Sequence, residues 1–83
     1  MIRNVDGWIL EGKKITKEFK FKNFAEAMRF INKLAETAED EGHHPDFKLH
    51  DWNCITVNTW THALGGLTEN DFILASKINR IKV

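Results

Sequence analysis

The chain has 83 residues, which predicts a single small domain spanning residues 1–83. Twelve Lys and Arg residues balance twelve Asp and Glu residues, so the formal net charge is zero. This balance argues against a direct nucleic-acid partner and against a general membrane-surface binder. A domain of this size buries only about 60% of the surface of its unfolded chain, so pairing with a second copy would add needed burial.

The single cysteine and the short apolar runs indicate the cellular compartment in which the protein would be found. Cys54 is the single cysteine and cannot form an internal disulfide, which favours a reducing environment. The longest unbroken apolar run, residues 72–75, is far too short for a membrane-spanning helix or a signal-peptide core. We therefore expect a soluble, cytoplasmic protein with no membrane partner.

The first quarter of the chain predicts a β-hairpin over residues 8–22. Residues 8–11 are short and largely apolar and lie between Gly7 and Gly12, as a strand entering a tight turn does. The following segment has a period of two, which is typical of a half-buried strand. One face of this second strand carries Ile15, Lys17, Phe19 and Phe21.

The period then changes to that of a helix of about 18 residues. Asn23 with Glu26 three residues later resembles a capping box, and Gly42 followed by Pro45 is a plausible stop. Apolar residues between these signals recur at spacings of three and four, which predicts an amphipathic helix. They are Phe24, Ala27, Met28, Ile31, Leu34, Ala35 and Ala38.

The second half of the chain predicts a second hairpin and a second helix. The strands are expected near residues 47–52 and 54–60, and residues 63–67 form a loop. Thr68 and Asp71 form another capping box, and Phe72, Ala75, Ile78 and Ile81 mark the last helix. The order β-β-α-β-β-α predicts an α+β fold in which a four-stranded antiparallel sheet is covered by helices on one face.

The end of the first predicted helix breaks a local rule. Each acidic side chain in a C-terminal helical turn is unfavourable by about 0.3–1 kcal/mol, because the helix dipole is negative there. Four acids occur in this region, and a solvated helix surface is the ordinary explanation. Such violations nevertheless concentrate at functional sites. The residues are Glu36, Glu39, Asp40 and Glu41.

Two adjacent histidines, His43 and His44, follow this acidic helix end directly. Pro45 biases His44 towards an extended backbone, in which successive side chains point in opposite directions. Imidazole accepts and donates protons near neutral pH, so the pair suits acid–base chemistry. We expect Glu39, one turn earlier, to orient His43, and Asp71 to orient His62.

Metal binding and nucleophilic catalysis are weaker hypotheses. His43, His44 and His62 could in principle supply three zinc ligands, but the spacings typical of zinc sites are absent. Cys54 and Ser76 are predicted to lie inside regular elements, away from the sharp turns that expose nucleophiles.

The histidines belong to a longer pattern that resembles the pterin-4a-carbinolamine dehydratase family. The pattern is Glu39-x3-His43-His44-Pro45, followed by Trp52, His62 and Asp71. The resemblance extends from about residue 7 to residue 81. Further segments that look like the family are Gly7-Trp8, residues 19–24, Thr61-His62, residues 66–71 and residues 74–76.

The resemblance implies a hydro-lyase that needs no metal and no cofactor. Members of the family dehydrate 4a-hydroxytetrahydropterin to quinonoid dihydropterin during tetrahydropterin recycling. Carried over to this chain, His43 and His62 would be general acids that help the 4a-hydroxyl leave, one on each face of the pterin. His44 would mainly bind and position the ring.

Four further residues would support this site. Glu39 and Asp71 would orient the imidazoles and tune their charge, and Trp8 could line the pocket. The Thr61-His62 backbone could bind the amide-like edge of the pterin. The resemblance also implies homodimers through edge-strand pairing and often homotetramers through helix packing.

Other functions remain open at this point. Proteins resembling this family also act as non-enzymatic binding modules, as a dimerisation cofactor for a transcription factor or as a Rubisco-assembly factor. The joint presence of His43, His44 and His62 with Glu39 and Asp71 favours the enzyme. The hypothesis of a zinc-binding or metal-sensing domain is supported only by the number of histidines.

Overall fold

The computed structural model describes residues 5–83 and contains four strands and two helices. In chain order these are β1 (Ile9–Glu11), β2 (Lys14–Lys20), α1 (Phe24–Glu41), β3 (Asp46–His50), β4 (Cys54–Thr59) and α2 (Glu69–Ile78). A short 3₁₀ turn, His62–Leu64, overlaps the start of the segment 63–67, which was predicted as a loop. The predicted order of strands and helices is confirmed.

The four strands form one antiparallel sheet in the order β1-β2-β4-β3. Both predicted hairpins are present, and β4 lies in the interior of the sheet between β2 and β3. Ile55 and Val57 of β4 point to one face and are fully buried. The α+β architecture with both helices on that face is therefore confirmed.

Helix α1 begins and ends where the sequence indicated. The Asn23 side chain accepts a hydrogen bond from the Glu26 backbone N–H at 2.8 Å, and Gly42 adopts a left-handed conformation with φ of 62°. Residues at spacings of three and four form its buried stripe against the sheet. They are Ala27, Phe30, Leu34 and Ala38.

Helix α2 completes the core with Leu74 and Ile78, both fully buried. It ends at Ile78, so Ile81 packs on the core from beyond the helix rather than within it. Neither described helix is long and apolar enough to cross a membrane.

Candidate active site

The two helices meet end to end at His43 and Asp71. His43 directly follows the C-cap of α1, and its backbone N–H donates to the carbonyl of Ala38 at 3.2 Å. Asp71 is the third residue of α2 and completes the predicted capping box with Thr68. The imidazole Nε2 of His43 lies 2.7 Å from Asp71 Oδ1. A ring at the negative end of one helix dipole thus faces a carboxylate at the positive end of the other.

The carboxylate of Asp71 is fully buried and receives four hydrogen bonds. Oδ1 faces His43 and accepts from the Thr59 hydroxyl at 2.7 Å, while Oδ2 accepts from the Thr61 hydroxyl at 2.8 Å and the Thr68 N–H at 2.9 Å. Burial acts to raise the pKa of Asp71, but these hydrogen bonds outweigh it and hold the pKa below the ordinary value of 3.8. Asp71 is therefore ionised at neutral pH.

His43 differs from Asp71 in its access to solvent. Its side chain is 16% exposed, whereas that of Asp71 is 0% exposed. Because Nε2 faces the carboxylate, the other ring nitrogen, Nδ1, is the one that Asp71 does not contact. A carboxylate at one nitrogen fixes both the tautomer and the orientation of the ring.

The observed pairing of acids and histidines differs from the expected one. Glu39 contacts the Nε2 of His44 rather than His43, and both side chains are exposed. Asp71 contacts His43 rather than His62. The expected pairs were chosen by proximity in the sequence. The contact between Asp71 and His43 instead depends on the packing of α2 against the end of α1.

His62 directly follows Thr61 and begins the 3₁₀ turn. It is exposed, and its ring stacks on Trp60 with centroids 4.4 Å apart and planes 22° apart. Within residues 5–83, the three histidines predicted as site residues do not form a group of ligand atoms close enough to share a metal ion.

Thr61 has a different place from the expected one. Its backbone N–H donates to the Gly66 carbonyl at 2.7 Å, and its own carbonyl accepts from Gly66 and Leu64. The backbone of Thr61 is therefore already paired and is not open to a pterin edge. Its hydroxyl instead supports Asp71, a contact that the position of Thr61 at a strand end did not reveal.

Trp8 is not brought to the histidines within this chain. Its indole Nε1 donates to Asn79 Oδ1 at 3.0 Å, and its ring packs edge-on against Phe19. Asn79 is eight residues after Asp71, which is about 12 Å along a helix axis. The structure thus gives Trp8 a packing role at the opposite end of α2.

Acids at the end of α1 gain partners from neighbouring segments. Besides the Glu39–His44 contact, Glu41 forms an ion pair with Lys77 of α2. Lys77 places a positive charge beside this acidic helix end, although a surface ion pair contributes only about 0–1 kcal/mol.

Sequence comparison identifies the family. The sequence model described as pterin 4 alpha carbinolamine dehydratase matches residues 1–81. A mitochondrial pterin-4-alpha-carbinolamine dehydratase 2 from Arabidopsis thaliana is 45% identical over 87 residues, covering 100% of this chain but 46% of that protein. This chain thus spans about half of the plant relative. A putative dehydratase from Nitrosospira multiformis is 47% identical, with 98% of this chain and 71% of that protein covered.

Solved structures agree on the fold. A transcriptional coactivator/pterin dehydratase from Brucella melitensis superposes with a TM-score of 0.81 at 39% identity, covering 89% of this chain and 80% of that chain. A pterin dehydratase-like protein identified as a RuBisCO assembly factor in the alpha-carboxysome has a TM-score of 0.75 at 21% identity, covering 94% and 93%, and shows a shared fold. Because the family model matches residues 1–81 of its 83 residues, this chain belongs to the pterin-4a-carbinolamine dehydratase family.

Proposed function

We propose that this protein dehydrates 4a-hydroxytetrahydropterin to quinonoid dihydropterin by histidine acid–base catalysis, as a step of tetrahydropterin recycling. The observation that carries this proposal is the ionised, fully buried Asp71 carboxylate 2.7 Å from Nε2 of the partly exposed His43. Membership of the family supplies the substrate class, and the geometry supplies a histidine held in one orientation at the surface of the domain.

The reaction breaks the C4a–O bond of the substrate. The oxygen leaves as water after receiving a proton, a ring N–H loses a proton to a base, and the ring nitrogens supply the electrons for the new double bond. Asp71 holds the Nε2 of His43, so Nδ1 is the atom of that ring that exchanges the proton with substrate. The chain needs no bound cofactor for this chemistry.

His62 and His44 complete the proposed site. We assign His62 the role of a second acid, since its exposed ring is held by stacking rather than by a carboxylate. His44, exposed and paired with Glu39, would bind and position the pterin. Thr61 acts on Asp71 through its hydroxyl and is a positioning residue.

The direct test is the dehydration of freshly made 4a-hydroxytetrahydropterin, followed by ultraviolet absorbance against the spontaneous reaction in buffer. We expect acceleration that survives a chelator and falls by about 10²–10⁴-fold in His43→Gln, the range that general acid–base catalysis contributes. Far-ultraviolet circular dichroism checks that the variant is folded. A folded wild-type protein that gives no acceleration refutes the proposal.

A protein-binding role without catalysis is the alternative. The Brucella melitensis relative carries both descriptions, coactivator and dehydratase, and the fold is shared with an assembly factor. Absence of turnover in a folded sample would favour this role, and a search for protein partners would follow.

We further propose that the protein acts in the cytoplasm as a homodimer or homotetramer. The two edge strands, β1 and β3, carry exposed apolar residues, which would favour pairing with a second copy. They are Ile9, Leu10 and Phe47, exposed by 65%, 67% and 48%. Light scattering on the purified chain gives the number of copies.

A further inference from the structure

A second cluster of chemically active side chains lies at the β3–β4 hairpin, away from His43 and Asp71. Among residues 5–83, His50, Asp51 and Cys54 are the group of three potential metal ligands whose ligand atoms come together, all within 4.8 Å of one another. Cys54 begins β4 and Thr59, a partner of Asp71, ends it. Five residue steps along the strand separate the two sites by about 17 Å.

We propose that His50, Asp51 and Cys54 bind a zinc ion, with water as the fourth ligand. Thiolate and imidazole ligands select zinc over magnesium and calcium, which prefer oxygen. The thiolate and the carboxylate together neutralise the charge of the ion. Binding releases the Cys54 thiol proton to solvent.

The hairpin geometry brings the three ligands together. His50 and Cys54 are directly paired across β3 and β4, so their side chains lie on the same face of the sheet. Asp51 follows in the turn with φ of 51°, and Trp52 has φ of 56°. Ligand atoms of a tetrahedral zinc site lie about 3.3–3.8 Å apart, given bond lengths of about 2.0–2.3 Å. The ligand atoms now lie up to 4.8 Å apart, so movement of the more exposed side chains by about 1 Å would bring them to the spacing of a zinc site.

The surroundings of the His50 ring are compatible with a metal ligand. Its Nε2 lies 2.9 Å from the hydroxyl of Thr56, and its Nδ1 lies 3.0 Å from Asp51 Oδ2. In the tautomer whose Nε2–H donates to Thr56, the Nδ1 lone pair lies beside the Asp51 carboxylate, so both atoms can bind one cation. Metal-binding histidines typically donate their second ring N–H to a neighbouring oxygen in this way.

Accessibility differs among the three ligands in a manner that suits one bound water. The Asp51 side chain is 80% exposed and that of His50 is 25% exposed, while Cys54 is buried. The ion would therefore have the protein on one side and solvent on the other. Lys20 of β2 is paired with Cys54, so its positive charge should weaken the binding of a cation. Removing this charge should therefore tighten binding.

Cobalt titration of the full chain, with a reductant that is not a thiol, tests the proposal. Co²⁺ replaces zinc in such sites and gives a thiolate-to-cobalt charge-transfer band, which reports sulfur ligation directly. We expect one Co²⁺ per chain, displacement by Zn²⁺, and loss of the band in Cys54→Ser and His50→Gln. Thr56→Val should weaken binding by about 10–100-fold with the band unchanged in position. Lys20→Gln should tighten binding.

His44→Gln is the matched control, because His44 is also an exposed histidine beside an acid. The band must persist in this variant. Because Cys54 is buried and Cys54→Ser could disturb the fold, His50→Gln, at a partly exposed position, decides independently. Absence of a band in the wild type, a band unaffected by His50→Gln, or binding abolished by His44→Gln would each overturn the zinc site.

Discussion

The Nε2 atom of His43 and the Oδ1 atom of Asp71, 2.7 Å apart, join the C-terminal end of α1 to the N-terminal end of α2. The same carboxylate also holds Thr59 and Thr61, at the end of β4 and just beyond it. One side chain therefore fixes the relative positions of two helices and a strand. Its substitution should affect turnover and stability together.

Asp71→Asn tests this dual role. An amide presents one acceptor oxygen and one NH₂ group to four donors, so the tautomer of His43 is no longer fixed. We expect turnover to fall by about 10–100-fold and the free energy of unfolding to fall by about 1–3 kcal/mol. Asp46→Asn makes the same change at an exposed position of β3 and should leave both unchanged. Equal turnover in the two variants would exclude Asp71 from the mechanism.

The pH dependence of stability follows from the lowered pKa of Asp71. Because the folded pKa lies below the unfolded value of 3.8, the carboxylate stabilises the fold above that value. This contribution disappears as the pH falls through the lower folded pKa. Urea denaturation from about pH 7 to pH 3 should show the wild type losing its advantage over Asp71→Asn only at the acid end. A constant difference across the range would contradict this assignment.

His62→Ala should remove activity without removing the fold. The ring is exposed and stacks on Trp60, so its loss should change stability by no more than about 0.5 kcal/mol. As a general acid, His62 should contribute about 10²–10⁴-fold to turnover. Circular dichroism and Trp fluorescence check the fold alongside the kinetics. Loss of the dichroism signal would make His62 a structural residue instead.

His44→Ala should raise KM more than it lowers kcat. His44 is 63% exposed and contacts Glu39, which is 74% exposed. This open position suits binding rather than proton transfer. Steady-state kinetics separate the two effects. A loss confined to kcat would assign His44 to acid–base catalysis.

Gly42→Ala tests the left-handed backbone conformation that ends α1 directly before His43. Gly42 has φ of 62°, a conformation that costs a residue with a Cβ about 1–2 kcal/mol, and no atom lies within 4 Å of the added carbon. We expect that loss in chemical denaturation. Gly66→Ala, which also meets no atom within 4 Å and has no positive φ, is the control and should be nearly neutral. Equal stability of the two variants would show that the backbone at Gly42 relaxes.

Local signals in the sequence were sufficient to predict the strands and helices and to single out the histidines and acids of the candidate site. They were not sufficient to predict which acid contacts which histidine. The cap at Asn23, the stop at Gly42 and the capping box at Thr68 each depend on residues within four positions of one another. The contact between His43 and Asp71 spans 28 residues and depends on how two helix ends pack. No spacing rule contains that information, and so the acids were assigned to the wrong rings.

The hairpin cluster was missed for a different reason. Cys54 was predicted to lie inside a regular element without a disulfide partner, and no role was predicted for His50. The signal was available, because two strands with almost nothing between them place residues on either side of the turn directly opposite each other. The register in which His50 pairs with Cys54 was the missing step.

The four hydrogen bonds on Asp71 have a consequence for the evolution of the family. A descendant without the proposed activity would still gain stability from this carboxylate and its threonines, whereas the exposed His44 and His62 would be free to change. Retention of Asp71 in a distant relative is thus a sign of the shared fold alone. Retention of both exposed histidines is the sign that selection for chemistry has continued.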